Sequence, residues 1–163
     1  MTYLLFSKAF IRNIKKAAKS ERKAGNGKQT ENLNLIAKHS GYQAWNNLSK
    51  HLESTGIIPE SLYRKVLKAV LITCPITADK FVLSELKDYL NSNFERLADY
   101  SMPNPHTDNG YSHPSIDVKT ELEEAYLTIF GPETLSVMVN KLLESEEGWC
   151  LDDGDLILEY QMP

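Results

Sequence analysis

Cysteine is scarce in this chain: Cys74 and Cys150 are the two in 163 residues, far apart and in no metal-ligand spacing. Their placement argues against the disulfide framework that staples small secreted domains, and it excludes a Cys-x-x-Cys redox or zinc motif. A reduced, cytoplasmic protein with two packed thiols is expected. Also missing is any apolar run of the roughly 20 residues a membrane-spanning helix needs, so no membrane partner is expected. Met1–Phe10 is too short, and its flanks too polar, for a secretory signal. A phosphate loop is absent as well. Gly25-Asn26-Gly27-Lys28 lacks the Gly-x4-Gly-Lys-Ser/Thr spacing, and both of its neighbours read as helices rather than as a strand and a helix. There is no nucleophile–base pair and no paired set of metal ligands on a regular element. No catalytic residue, metal ligand or cofactor is therefore assigned, and the pattern weighs against an enzyme.

What the chain does have is charge, unevenly spread. The net charge is −4, yet residues 1–50 hold ten Lys/Arg against Glu21 and Glu31, a net of +8. Residues 51–163 hold 8 Lys/Arg and 20 Asp/Glu, a net of −12. Two surfaces with different partners follow from this, or else two halves that neutralise each other within one molecule or across a homodimer.

The cations are concentrated in one helix. Ser7 is expected to cap it, and it is expected to run to about Ala24 after a short apolar lead, Met1–Phe6. On a helical wheel Phe10, Ile11, Ile14 and Ala18 form one face, and Arg12, Lys15, Lys16, Lys19 and Lys23 form the opposite one. A row of cations suits a phosphate backbone, because each contact releases counterions. It suits an acidic protein surface equally, and it also describes an ordinary solvated face. The apolar face is rich in alanine and not bulky, which makes a membrane surface the poorest fit.

The segment Leu33–Leu52, LNLIAKHSGYQAWNNLSKHL, has the sharpest pattern. Leu33, Ile36 and Ala37 share one helix face, with Thr30 as the expected cap and Glu31 in the first turn. Ser40-Gly41 ends that helix, because glycine tolerates the left-handed conformation that closes it. A second helix follows, with Trp45, Leu48 and Leu52 on one face. A helix-turn-helix corner fits this unit. Gln43, Asn46, Asn47 and Lys50 then have amides and an amine suited to base edges or phosphates. The same glycine and small residue also serve a plain two-helix corner that only packs a core.

Leu33, Ile36, Ala37, Gly41, Tyr42, Trp45, Asn46 and Leu48 make up a pattern L-x-x-I-A-x-x-x-G-Y-x-x-W-N-x-L. The pattern resembles a short helical module of bacterial proteins that stands before some glyoxalase-like domains, and the basic helix Lys8–Lys23 fits the same module. The resemblance covers about the first third of the chain and implies a bacterial or mobile-element origin. No run of alternating strands follows it, and no paired His/Glu ligands on such strands, so no catalytic or metal residue is carried over.

The remainder reads as an acidic, mostly helical domain. A boundary is expected within Glu53–Pro59, giving residues 1–56 as a basic module and 57–163 as the second domain. Pro59–Thr73 is expected to be helical, although Val66–Ile72 is β-branched enough to form a buried strand instead. Cys74-Pro75 breaks it. Thr77 is expected to cap a long helix, Ala78–Ala98, with Phe81, Leu83, Leu86, Leu90, Phe94 and Leu97 inward and Glu85, Lys87, Asp88 and Glu95 outward. Tyr100–Ser115 reads as a loop in which His106, Asp108 and His113 are at most a weak metal set. Helices over Asp117–Phe130 and Pro132–Glu144 follow. The tail then alternates like a β-hairpin around Asp152, Asp153, Gly154 and Asp155, without the full calcium-loop pattern. The hairpin is expected to pack on the helices, to pair with a strand such as Tyr3–Phe6, or to add to a partner's sheet.

The fold class expected is mainly α, with a C-terminal hairpin and α+β as the variant. The leading function is a small bacterial regulatory or accessory protein that binds nucleic acid. Arg12, Lys15, Lys16, Lys19 and Lys23 would hold phosphates, and Gln43, Asn46 and Lys50 would reach bases. The alternative is a protein-binding inhibitor of the antitoxin, immunity or anti-defence type. Its acidic surface would be Glu121, Glu123 and Glu124 with Asp152, Asp153 and Asp155, and its partner a basic protein.

Overall fold

The computed structural model of the chain describes residues 7–93, 97, 115–144, 149–152 and 155–158. Among these it is mainly α-helical, with seven helices. It divides into two compact units, Met1–Ser92 and Asn93–Pro163.

The first unit holds five helices: α1 (Ser7–Lys23), α2 (Gln29–His39), α3 (Trp45–Thr55), α4 (Glu60–Thr73) and α5 (Ala78–Ser92). Helix α1 packs on α2, α3 and α5, and α2 packs on α3 and α4. The apolar stripe expected on α1 is its buried face, and Phe10 lies at the centre of the unit. The Phe10 ring sits 4.9 Å from Tyr63 of α4 and 6.3 Å from Phe81 of α5, both within the range of favourable tilted aromatic pairs. Phe10 has no exposed surface, so truncation to alanine removes about 3–5 kcal/mol of packing.

Residues 66–72 are helical, not a strand. Tyr63, Val66, Leu67 and Val70 recur at the spacing of one helix face, and all are buried. The boundary expected within 53–59 falls inside this unit. That stretch holds the end of α3 and the short connection from it to α4, tied to the start of α1 by Ser7 N–H donating to the Gly56 carbonyl at 3.1 Å. The compact division follows Ser92 instead, because α4 and α5 complete the core that α1–α3 begin.

Three local expectations are corrected. Helix α2 starts at Gln29, so Thr30 lies in its first turn, and the capping position, Lys28, makes no side-chain bond. Thr77 turns its hydroxyl toward α1, donating to the Ala17 carbonyl at 3.3 Å, while its N–H donates to Glu21 Oε1 at 2.8 Å. Glu85 is buried rather than outward. It follows Phe81 by four and precedes Tyr89 by four, so it belongs to the same inward stripe of α5. The expected residues Phe94 and Glu95 lie outside the described positions.

The second unit has an α-helical hairpin, α6 (Val118–Phe130) and α7 (Pro132–Glu144). Leu122, Ala125 and Tyr126 of α6 and Leu135, Met138, Val139 and Leu142 of α7 are buried. Asp117 caps α6: its Oδ1 accepts from Thr120 N–H at 3.2 Å, and its Oδ2 accepts from the Thr120 hydroxyl at 2.8 Å. At backbone level, β1 (Ser115–Asp117) and β2 (Trp149–Asp152) each pair antiparallel with β3 (Asp155–Leu158). Tyr3–Phe6, and the loop with His106, Asp108 and His113, lie outside the described residues.

The charge division coincides with the compact one. Met1–Ser92 holds 15 Lys/Arg and 7 Asp/Glu, and Asn93–Pro163 holds 3 and 15. The net charges are again +8 and −12, because α4 and α5 are neutral with the segments around them.

Candidate nucleic-acid interface

The cationic face of α1 is organised as a groove. Lys8, Arg12, Lys15 and Lys19 recur along one side of the helix, with Lys16 beside them. All five line a depression of about 600 Å3. Ile11, 6% exposed, gives it an apolar floor, and Gln29 of α2 and Glu53 of α3 complete its walls. Lys8 to Lys19 is eleven residues of helix, about 16 Å at the standard rise.

No ion pair reaches Lys8, Lys15, Lys16 or Lys19 among the described residues, and Glu53 is the one carboxylate in the lining. Arg12 differs: its guanidinium lies 3.7 Å from Asp88 of α5, in a pair that is largely solvated on the arginine side. An exposed pair of this kind contributes little to stability and leaves Arg12 available to another anion.

Behind Arg12 lies a buried polar network. The Asn13 amide donates to Asp88 at 2.7 Å and to Glu85 at 3.3 Å, and the Tyr63 hydroxyl reaches Glu85 at 3.4 Å. Burial pushes the Glu85 carboxyl up to about 8. The Asn13 bond opposes that shift, and the negative charge of Asp88 adds to it. Asn13 is thereby committed to holding α5 against α1. The same helix is tied down at its other end, where Glu21, with no exposed surface, accepts from Thr77 and from the Asn26 amide at 2.6 Å. The cationic face is thus presented on a helix anchored at both ends of its buried side.

The α2–α3 corner is present as expected. Gly41 has φ +90°, and a Cβ there would stand 3.1 Å from Lys65 Nζ. Asn34 of α2 caps α3 from outside, its Oδ1 accepting from Trp45 N–H at 3.0 Å. The Tyr42 hydroxyl lies 2.9 Å from His51 Nδ1 and spans the corner.

The expected phosphate contacts therefore separate into two groups. Arg12, Lys15, Lys16 and Lys19 are brought together, whereas Lys23, although exposed in the last turn of α1, is not part of the groove. Gln43, Asn46 and Lys50 are exposed but do not line it. Asn46 and Lys50 share the side of α3 that reaches the groove at Glu53, seven and three residues away. Lys8 and Gln29 were not among the expected contacts. Lys8 continues the four-residue spacing back from Arg12, a signal open to sequence reading. Gln29 joins through helix packing alone.

In the second unit, Glu121 and Glu123 are half-buried on α6 and Glu124 is exposed. Asp152 and Asp155 are placed by their backbones at the facing ends of β2 and β3, and Asp153 lies outside the described residues. No group of three His, Cys, Asp or Glu suited to a metal occurs among the described residues, and none of their helices is long and apolar enough to cross a membrane. No family model, curated protein or solved structure matches this chain.

Proposed function

We propose that this chain binds nucleic acid through the cationic face of α1, as a small bacterial accessory or regulatory protein of the cytoplasm. One observation carries the reading. Five cations line a single groove against one carboxylate, Glu53, and its four lysines make no ion pair among the described residues. Like charges held this close repel one another, and a polyanion relieves that repulsion while releasing its own counterions. The test is fluorescence anisotropy of labelled DNA and RNA against the full chain at low and physiological salt. Steep salt dependence is expected, with binding lost in a Lys15→Glu/Lys16→Glu/Lys19→Glu variant. Binding that ignores salt, or that survives the charge reversal, sinks the proposal.

A second reading rests on the other unit. Leu127 is 42% exposed on α6, three residues after exposed Glu124, and Val137 is 51% exposed on α7. Apolar side chains among carboxylates suit a partner surface that is both greasy and basic. A protein-binding inhibitor would use this chemistry. A pull-down recovering a basic partner, lost on Glu121→Gln/Glu123→Gln/Glu124→Gln, favours it. Recovery unchanged by those substitutions speaks against it.

A further inference from the structure

The groove does not end at α1. A smaller hollow of about 170 Å3 lies between α1 and α5, lined among others by Lys16, Ser20, Lys80 and Ser84. Lys16 lines both depressions, so the cationic surface continues around α1 and onto α5. Lys80 is exposed and, like Lys16, has no ion pair among the described residues.

We infer that the ligand is double-stranded nucleic acid, held by its phosphate backbone without regard to sequence. The track runs from Lys8 to Lys19 and crosses at Lys16 to Lys80. This rests on the nucleic-acid reading above and narrows it.

Three features select a duplex. The cations are strung over about 16 Å rather than converging on one point, which suits a rod with one phosphate per ~3.4 Å of each strand better than a single nucleotide. Single-strand sites combine such a track with aromatic side chains on which bases stack. Neither depression has an exposed aromatic: Phe81 borders the hollow but is 3% exposed. The polar groups in the walls are of the kind that bond phosphate and carry little sequence information. Ser20 and Ser84 offer hydroxyls, and Asn13, the amide best placed to read a base in the hollow, is spent on Glu85 and Asp88. Gln29 is the amide left at the groove wall, a poor basis for discrimination.

The experiment uses the full chain with fluorescent duplexes of about 20 base pairs, in DNA and in RNA, of two unrelated sequences, together with their separated strands. The duplexes are expected to bind more tightly than the strands, and the two sequences equally. Lys80→Ala is expected to lower the slope of log K against log salt by about one, with an unchanged far-ultraviolet circular dichroism spectrum. Strands that bind as tightly as duplexes overturn the inference. So does a tenfold preference between the sequences, or a Lys80→Ala slope equal to that of the parent. In each of those cases binding that is still lost in Lys15→Glu/Lys16→Glu/Lys19→Glu preserves the broader nucleic-acid reading. No binding of any probe at low salt overturns both.

Discussion

Glu21 and Thr77 join two helices that are far apart in sequence: Glu21 Oε1, with no exposed surface on its residue, accepts the Thr77 backbone N–H at 2.8 Å. Thr77 stands just before α5, so a carboxylate from the end of α1 satisfies one of the donors that a helix start leaves open. Glu21→Ala strands the Thr77 N–H and the Asn26 amide together. A loss of about 1–3 kcal/mol is expected, read as a lower denaturation midpoint with an unchanged slope. An unchanged midpoint refutes the role.

Glu85 makes stability depend on pH in a definite direction. Burial holds its carboxyl near 8 in the folded chain, against an ordinary value of 4.5. Between those values the folded state keeps a proton that the unfolded state releases. Stability from this group is thus complete below the ordinary value and is lost as pH rises through about 8. Glu85→Gln keeps the shape and removes the titration. Unfolding free energies of parent and variant are expected to diverge progressively as pH rises from about 4.5 to about 8, with the variant the more stable at the alkaline end, by an amount on the order of a few kcal/mol. Parallel curves from acid to alkaline pH refute it.

The α2–α3 corner should depend on backbone conformation more than on space. Gly41→Ala is expected to cost about 1–2 kcal/mol, because a side chain disfavours its positive φ. Lys65→Ala opens the space that a new Cβ would need, but it leaves φ unchanged. The double variant is therefore expected to remain nearly as destabilised as Gly41→Ala, and full recovery in urea melts refutes the backbone argument. Asn34→Ala, which removes the cap on α3, is expected to cost about 1 kcal/mol.

Cys74 should be inert in the native state. It is fully buried, and burial pushes its thiol up to about 12, with the charge of Glu21 adding to the shift. The thiolate is the reactive form, so a Cys150→Ser variant is expected to react with a thiol reagent only after denaturant is added. Prompt labelling of that variant in buffer refutes it.

The acidic unit should weaken binding of a polyanion by the basic one. A fragment of residues 1–92 is expected to be helical and to bind a duplex more tightly than the full chain at low salt. The difference is expected to shrink as the Debye length falls from ~30 Å at 0.01 M to ~8 Å at 0.15 M salt. Equal affinities at low salt refute the repulsion.

The amphipathic stripes of α1 and α2 follow from residue spacing alone, as do the chain breaks at Gly41 and Cys74-Pro75, whereas the helix over residues 66–72 was decided against a strand only by the fold. The stripes and breaks are local matters of periodicity and backbone freedom, which neighbouring residues settle. The cationic row Arg12, Lys15, Lys16 and Lys19 was legible for the same reason. Tertiary structure decided the polar positions on those stripes. Asn13, Glu21 and Glu85 each occupy an inward helical position, and each is buried against a partner far away in sequence. A buried polar group is tolerated only when such a partner completes its hydrogen bonds, and periodicity carries no information about which helix supplies one. Packing likewise set the limits of the interface. It brought Gln29, Glu53 and, through Lys16, Lys80 to the cations of α1, and it left Lys23 and Gln43 outside.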